Sequence, residues 1–81
     1  MSYQDQYVNV TSFYFRNSRV FPRRVEFDGE QLNFLETGLR CLVQKGQDFI
    51  QIFNMSDGKK LYRLSFEPGS RTWKLLSSRS L

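Results

Sequence analysis

Residues 49–76 constrain the fold of this 81-residue chain more than any other segment, because they combine three apolar runs with two turn signals. The first signal is Asp57-Gly58. Asp-Gly between alternating apolar residues predicts a β-hairpin, since a type I′ turn needs positive φ at both central positions. The second signal is the Pro-Gly pair within residues 68–71. The segment therefore predicts a three-stranded antiparallel sheet.

The two turns, taken separately, predict compatible registers. With Asp57-Gly58 as the loop, Phe53 lies opposite Tyr62, and the second loop places Trp73 opposite the residue two before Pro68. A slip of one residue would send every aromatic side chain to the other face, so agreement between turns and apolar pattern supports the sheet. The predicted aromatic face carries Phe49, Phe53, Tyr62, Leu64, Phe66, Trp73 and Leu75.

Two strands are predicted before this segment. Residues 7–15 and 19–27 are rich in β-branched and aromatic residues, which is typical of strands, and residues 17–18 separate them. Pro22 lies inside the second strand and removes a ladder donor. That strand is therefore predicted to be an edge, to be bulged, or to start after the proline.

Two more turns complete the predicted meander. Asp28-Gly29 predicts a hairpin that pairs Val25 with Leu32. Residues 44–46, with glycine in third place, predict a three-residue hairpin loop. Under that loop the preceding strand adds three side chains to the aromatic face, namely Leu39, Cys41 and Val43.

The predicted fold is all-β: one small domain over residues 1–81, an antiparallel meander of about six or seven strands forming a small barrel or rolled sheet. We expect flexible termini at residues 1–6 and 78–81. The alternative is an α+β fold with a helix near residues 30–45, where leucines recur at helical spacing. Gly38, in the middle of that stripe, favours strands.

The composition excludes several chemistries. The chain has no histidine and one cysteine, so metal sites built on those residues and Ser-His-Asp or Cys-His machinery cannot form in cis. Neither a P-loop nor a dinucleotide-binding motif is present. We expect no enzyme activity, no cofactor and no metal. The chain has no apolar run long enough to span a membrane, so we expect it not to enter membranes. A single cysteine cannot form an internal disulfide, which predicts a cytoplasmic protein. We interpret Cys41 as a small core residue.

Residues 14–24 form the best functional patch in the sequence. Four arginines alternate there with aromatic residues, and the chain has a net charge of +4. Arginines neutralise phosphates and exposed aromatics stack on unpaired bases, so we predict a small non-enzymatic binding module for nucleic acid or an acidic protein. Alternatively, the arginines are a solvated face that protects an edge strand from pairing. The predicted contacts are Tyr14, Arg16, Arg19, Arg23 and Arg24.

The reverse face of the central sheet is the second candidate surface. Three residues on this face, Ile50, Ile52 and Leu76, are apolar enough to need cover, and Arg63 between them predicts that the face is only partly buried. We expect the N-terminal strands to supply that cover. If they do not, the protein is a protein-interaction or homo-oligomeric assembly domain that uses this face or a sheet edge, with a homodimer as one form.

Overall fold

Seven antiparallel strands form one sheet in the computed structural model, which describes residues 5–81. The sheet order is β3-β2-β1-β7-β6-β5-β4, so β3 and β4 form its edges and the sheet is rolled without closing. The predicted all-β meander is confirmed, and the alternative helix is wrong because residues 30–45 form β3, a loop and β4. The strands are β1 Gln6–Arg16, β2 Arg19–Phe27, β3 Glu30–Asn33, β4 Leu39–Lys45, β5 Asp48–Ser56, β6 Lys60–Glu67 and β7 Thr72–Ser80.

Two predicted hairpin registers are confirmed. Asp28 and Gly29 have φ angles of 53° and 76°, as a type I′ turn requires, and Val25 pairs with Leu32. The turn at residues 68–71 likewise gives the predicted pairing of Phe66 with Trp73. Further from this turn the ladder shifts, so Tyr62 lies opposite Ser78 instead of the predicted Ser77. In both places the turn chemistry determines the register of the residues next to the turn.

The hairpin around Asp57 has a longer loop than predicted. The pair that flanks the loop is Ser56 and Leu61. Phe53 consequently lies opposite Leu64 instead of the predicted Tyr62. The Asp57 carboxylate accepts two backbone N–H groups of the loop at 2.8 Å, which stabilises the longer turn. Because the register changes by an even number of residues, the aromatic face is preserved.

The predicted strand β4 is present, but its predicted register against β5 is wrong. Its hairpin to β5 uses the two-residue turn Gly46-Gln47, in which Gly46 alone has positive φ (63°), as in a type II′ turn. Cys41 consequently pairs with Ile52 and not with Phe49, a shift of three residues that reverses the faces of β4. Cys41 is exposed, so its interpretation as a core residue is also wrong. The side chains moved to the reverse face are Leu39, Cys41 and Val43.

The hairpin formed by β1 and β2 folds across the aromatic face of β4–β7. Phe21 of β2 contacts Phe53 with ring centroids 5.9 Å apart, and Phe34, which follows β3, lies 5.4 Å from Tyr62. The expectation that the N-terminal strands would cover the reverse face is therefore wrong, because they cover the aromatic one. The buried cluster comprises Val8, Tyr14, Phe21, Val25, Phe34, Phe53, Met55, Tyr62, Leu64 and Leu75.

Pro22 lies at an irregularity that bends this hairpin. The β1–β2 ladder shifts on both sides of Ser12, leaving Thr11 and Arg23 without a direct partner. The pairing of β3 with β2 begins at Arg24, so β2 is an edge where the fully buried proline lies. The predicted bulge is confirmed, and bulges bend strands and increase their twist.

The C-terminal residues continue the sheet. Ser80 is the last residue of β7 and lies opposite Lys60, while the Leu81 N–H donates to the Lys59 carbonyl at 3.0 Å. The predicted flexibility of residues 1–6 falls largely outside the described residues. Within the part of the chain that the structure describes, no helix is long and apolar enough to cross a bilayer.

Candidate functional site: an aromatic groove

An open groove of about 650 Å³ lies beside the line along which the hairpin crosses the sheet. The hairpin supplies one wall through Phe13 and Val20, and the β6–β7 turn supplies the opposite wall. We call this feature the aromatic groove. Its lining residues are Phe13, Val20, Gln51, Phe53, Phe66, Pro68, Arg71 and Trp73.

Trp73 is the centre of the aromatic cluster in this groove. Its ring centroid lies 4.8 Å from that of Phe66, 5.3 Å from that of Phe53 and 6.1 Å from that of Phe13. The interplanar angles are 39°, 39° and 50°, the tilted arrangements that aromatic pairs favour. Mutual packing therefore holds the indole in place without covering it from the groove side.

The groove walls are incompletely buried. Phe13 remains 46% exposed although its ring is in contact with Trp73, and Val20 beside it is similarly exposed. Phe53, at the floor of the groove, is fully buried, whereas the ring of Phe13 on the wall is accessible. The groove therefore presents accessible aromatic and aliphatic surface beside a buried floor.

The polar side chains that line the groove are one amide, Gln51, and one cation, Arg71. Gln51 accepts a hydrogen bond from Arg40 Nε at 2.9 Å, which orients its amide so that the NH₂ group remains as a donor. Arg71 is exposed and has a backbone φ of 56°. Its guanidinium group has no hydrogen-bond or ion-pair partner among residues 5–81. The lining includes no carboxylate. The groove thus offers aromatic faces, amide donors and positive charge.

Tyr14, predicted to contact bases, is a core residue. Its ring is 6% exposed and stacks on Phe21 with centroids 5.2 Å apart and planes at 12°. Its hydroxyl accepts the Gly38 N–H at 3.3 Å. A base cannot reach this ring while Phe21 occupies its face.

Arg16 and Arg23, also predicted to bind a partner, both turn toward the loop before β4. Arg16 lies over the Phe21 ring at 4.8 Å and donates to the carbonyls of Glu36, at 3.1 Å, and Gly38. Arg23 forms an ion pair with the Glu36 carboxylate. These two guanidinium groups attach the hairpin to residues 36–38, which is a structural use.

The other two predicted arginines differ from each other. Arg24 donates through Nε to Asn33 Oδ1 at 2.9 Å across the β2–β3 pair. The side chain of Arg19, at the hairpin tip, is exposed and makes no hydrogen bond or ion pair within the described part of the chain. The four arginines therefore do not converge on one surface.

The predicted partner surface on the reverse face contains two shallow hollows. Ile50, Ile52 and Leu76 line one of about 140 Å³, and Ile52 there is buried. Arg63 lines the second, of about 710 Å³, and is exposed. Two lysines and two carboxylates line the first hollow, whereas the second is lined by Arg63 and Arg79 and by no lysine or carboxylate.

The groove residues were not identified as a site from the sequence. Phe66 and Trp73 were predicted on one face as core, and Phe13 was only part of a strand. The β1–β2 hairpin leaves this end of the aromatic face open, and nothing in the sequence indicates where the hairpin ends on that face.

Comparisons of the chain with protein-family models, with curated proteins and with solved structures find no match. Among residues 5–81 no cluster of three or more metal-ligating side chains occurs. Fold and groove define a small rolled β domain with an exposed aromatic cleft.

Proposed function

We propose that this protein is a small binding module that holds an unpaired nucleic-acid strand in the aromatic groove. The observation that carries the proposal is the accessible Trp73 cluster bordered by Arg71 with no carboxylate in the lining. Stacking of a base on an aromatic ring contributes roughly 1–3 kcal/mol and tolerates any base, since every base has a π face.

Charge supports a polyanionic ligand. Arg71 borders the groove, Arg40 holds Gln51 within it, and the whole chain carries +4. The hairpin predicted from the sequence contributes to the proposal through Phe13 and Val20, which line the groove. Three of its four arginines instead make contacts within the domain.

The test uses the only tryptophan of the chain as the reporter. Titration with short single-stranded oligonucleotides should quench Trp73 fluorescence, because a stacked base contacts the indole directly. Affinity should fall as salt rises, with a logarithmic slope of about −0.7 per phosphate neutralised. Binding that is insensitive to salt would instead indicate an apolar peptide ligand and contradict the proposal.

Matched variants locate the site. Phe13→Ala and Arg71→Ala should each weaken binding by roughly tenfold, corresponding to one stacking contact and one phosphate contact. Tyr7→Ala removes a similarly exposed ring paired with Lys74 away from the groove, and Arg79→Ala removes the same charge from the reverse face. Equal losses in all four variants would place the interaction elsewhere.

A further inference from the structure

The two edges of the sheet differ in a way that points to a partner strand. Edge strand β3 has four residues, three of them polar, whereas edge strand β4 has seven residues and no proline. In β4, Leu39 is 66% exposed and Leu42 is 53% exposed. Soluble proteins usually shorten, charge or cover such an edge, because its unpaired backbone groups are a template for another strand.

The turn before β5 determines which backbone groups of β4 face outward. In a two-residue hairpin the flanking residues, here Lys45 and Asp48, form a hydrogen-bonded pair. Alternation along the strand then directs the N–H and C=O groups of Arg40, Leu42 and Gln44 away from β5. No backbone hydrogen bond within the described chain reaches these groups.

We propose that two copies of this chain pair through β4, antiparallel, about a two-fold axis that passes through Leu42. In this register Leu42 faces Leu42 and Arg40 faces Gln44 of the second copy. Every outward-facing residue then exchanges both N–H···O bonds with its counterpart. Centring the axis on Cys41 or Val43 leaves one of the outward residues unpaired, so the Leu42 register satisfies the most backbone groups.

The side chains of β4 are compatible with this pairing. Apolar meets apolar on each face, since Leu42 lies against its own copy and Cys41 lies opposite Val43. The two cations avoid each other, because Arg40 lies opposite Gln44 and Lys45 lies beside the exposed Leu39. A C₂ interface must be self-complementary in this way, which is why a second copy fits better than an unrelated strand.

Dimer formation and nucleic-acid binding can be distinguished by their opposite dependence on salt concentration. Each copy carries +4, so the copies repel one another and added salt should strengthen their association by screening. Nucleic-acid binding should weaken with salt. Sedimentation velocity of the wild-type chain over a concentration series should show a monomer–dimer equilibrium that shifts toward dimer at higher salt. A strictly monomeric protein at millimolar concentration overturns the proposal.

Two proline variants test the edge. Leu42→Pro removes an outward N–H that the β4–β5 ladder does not use, so the fold should persist while the dimer dissociation constant rises roughly tenfold or more. Gln31→Pro removes the corresponding outward N–H from β3 and should leave the constant unchanged. Circular dichroism verifies the fold of both. Equal weakening by the two variants contradicts pairing through β4.

Cross-linking tests the register independently of proline. In a Cys41→Ser background, Leu42→Cys places two thiols on directly opposed residues, with Cα atoms about 5.5 Å apart, within disulfide range. Val43→Cys in the same background places them diagonally, at about 7–8 Å, too far to bridge without backbone movement. Mild oxidation should yield a covalent dimer of the first variant and little of the second. The reverse result overturns the Leu42-centred pairing.

Discussion

Phe21 of β2 meets Phe53 of β5 edge-on, with ring centroids 5.9 Å apart and planes at 77°. Both rings are almost fully buried. This contact attaches the β1–β2 hairpin to the aromatic face of the sheet. The groove lies beside this contact, because the hairpin does not cover the part of the aromatic face around Trp73. The relationship therefore links the stability of the fold to the shape of the candidate site.

Replacing Phe21 should destabilise the domain strongly. Phe21→Ala removes a buried ring and leaves a cavity, for which the expected loss in unfolding free energy is about 3–5 kcal/mol. Urea denaturation followed by Trp73 fluorescence measures it. Phe15→Ala, on the same hairpin but 75% exposed, should change stability by less than about 0.5 kcal/mol. Similar losses in the two variants would mean that the hairpin is not anchored through Phe21.

Gly38 should tolerate no side chain, for a reason of space. A Cβ there would overlap the sulfur of Met55 and crowd the Tyr14 hydroxyl, and Met55 is fully buried, so it cannot move aside freely. Gly38→Ala should lower the unfolding free energy by about 1–3 kcal/mol. Gly69→Ala is the matched control, because a Cβ at that position meets nothing and its φ is not positive. The urea midpoint should move for the first variant only.

Arg16 and Arg23 should contribute unequally although both contact residues 36–38. Arg16→Gln loses two charge-assisted hydrogen bonds to carbonyls and a cation–π contact, so we expect a loss of about 1–2 kcal/mol. Arg23→Gln breaks an exposed ion pair with Glu36 and should cost less than about 1 kcal/mol. Thermal and urea unfolding at low and high salt compare them. The Arg23 contribution should disappear in high salt, and a larger effect for Arg23 would reverse the assignment.

Turn chemistry explains which parts of the fold could be predicted. Asp28-Gly29 is a two-residue type I′ turn whose φ angles only certain residues adopt, so its register followed directly from the sequence. At Gly46 the same glycine suits either the third place of a longer loop or the first place of a type II′ turn. The choice changes the register by an odd number, so one ambiguous glycine reversed a whole strand.

The groove could not be predicted because it depends on packing between distant segments. Phe13 and Trp73 are 60 positions apart in sequence and 6.1 Å apart between ring centroids. Apolar pattern identifies both as sheet residues, but it does not say where a bent hairpin crosses the sheet. For the same reason Tyr14 resembled an exposed stacking residue, while the crossing buries it against Phe21.

Acid should weaken the domain through Asp57. Burial acts to raise the pKa of this carboxyl group, but backbone N–H bonds from Lys59 and Lys60 and the Tyr62 hydroxyl outweigh it and hold the pKa below its ordinary 3.8. A depressed folded-state pKa contributes stability that is present above 3.8 and is lost as pH falls through the lower folded value. The unfolding free energy should therefore decline as pH falls from about 4 toward about 2.

Asp57→Asn isolates the charge in this acid response. The asparagine carbonyl can still accept the two loop N–H groups, but it carries no charge and does not titrate. The variant should be less stable than wild type at neutral pH, and the difference should shrink to nothing in acid. Tyr62→Phe, which removes one bond to the carboxylate, should reduce the slope without abolishing it. Urea midpoints measured across this pH range test both, and a difference between wild type and Asp57→Asn that stays constant with pH would exclude titration of Asp57 as its cause.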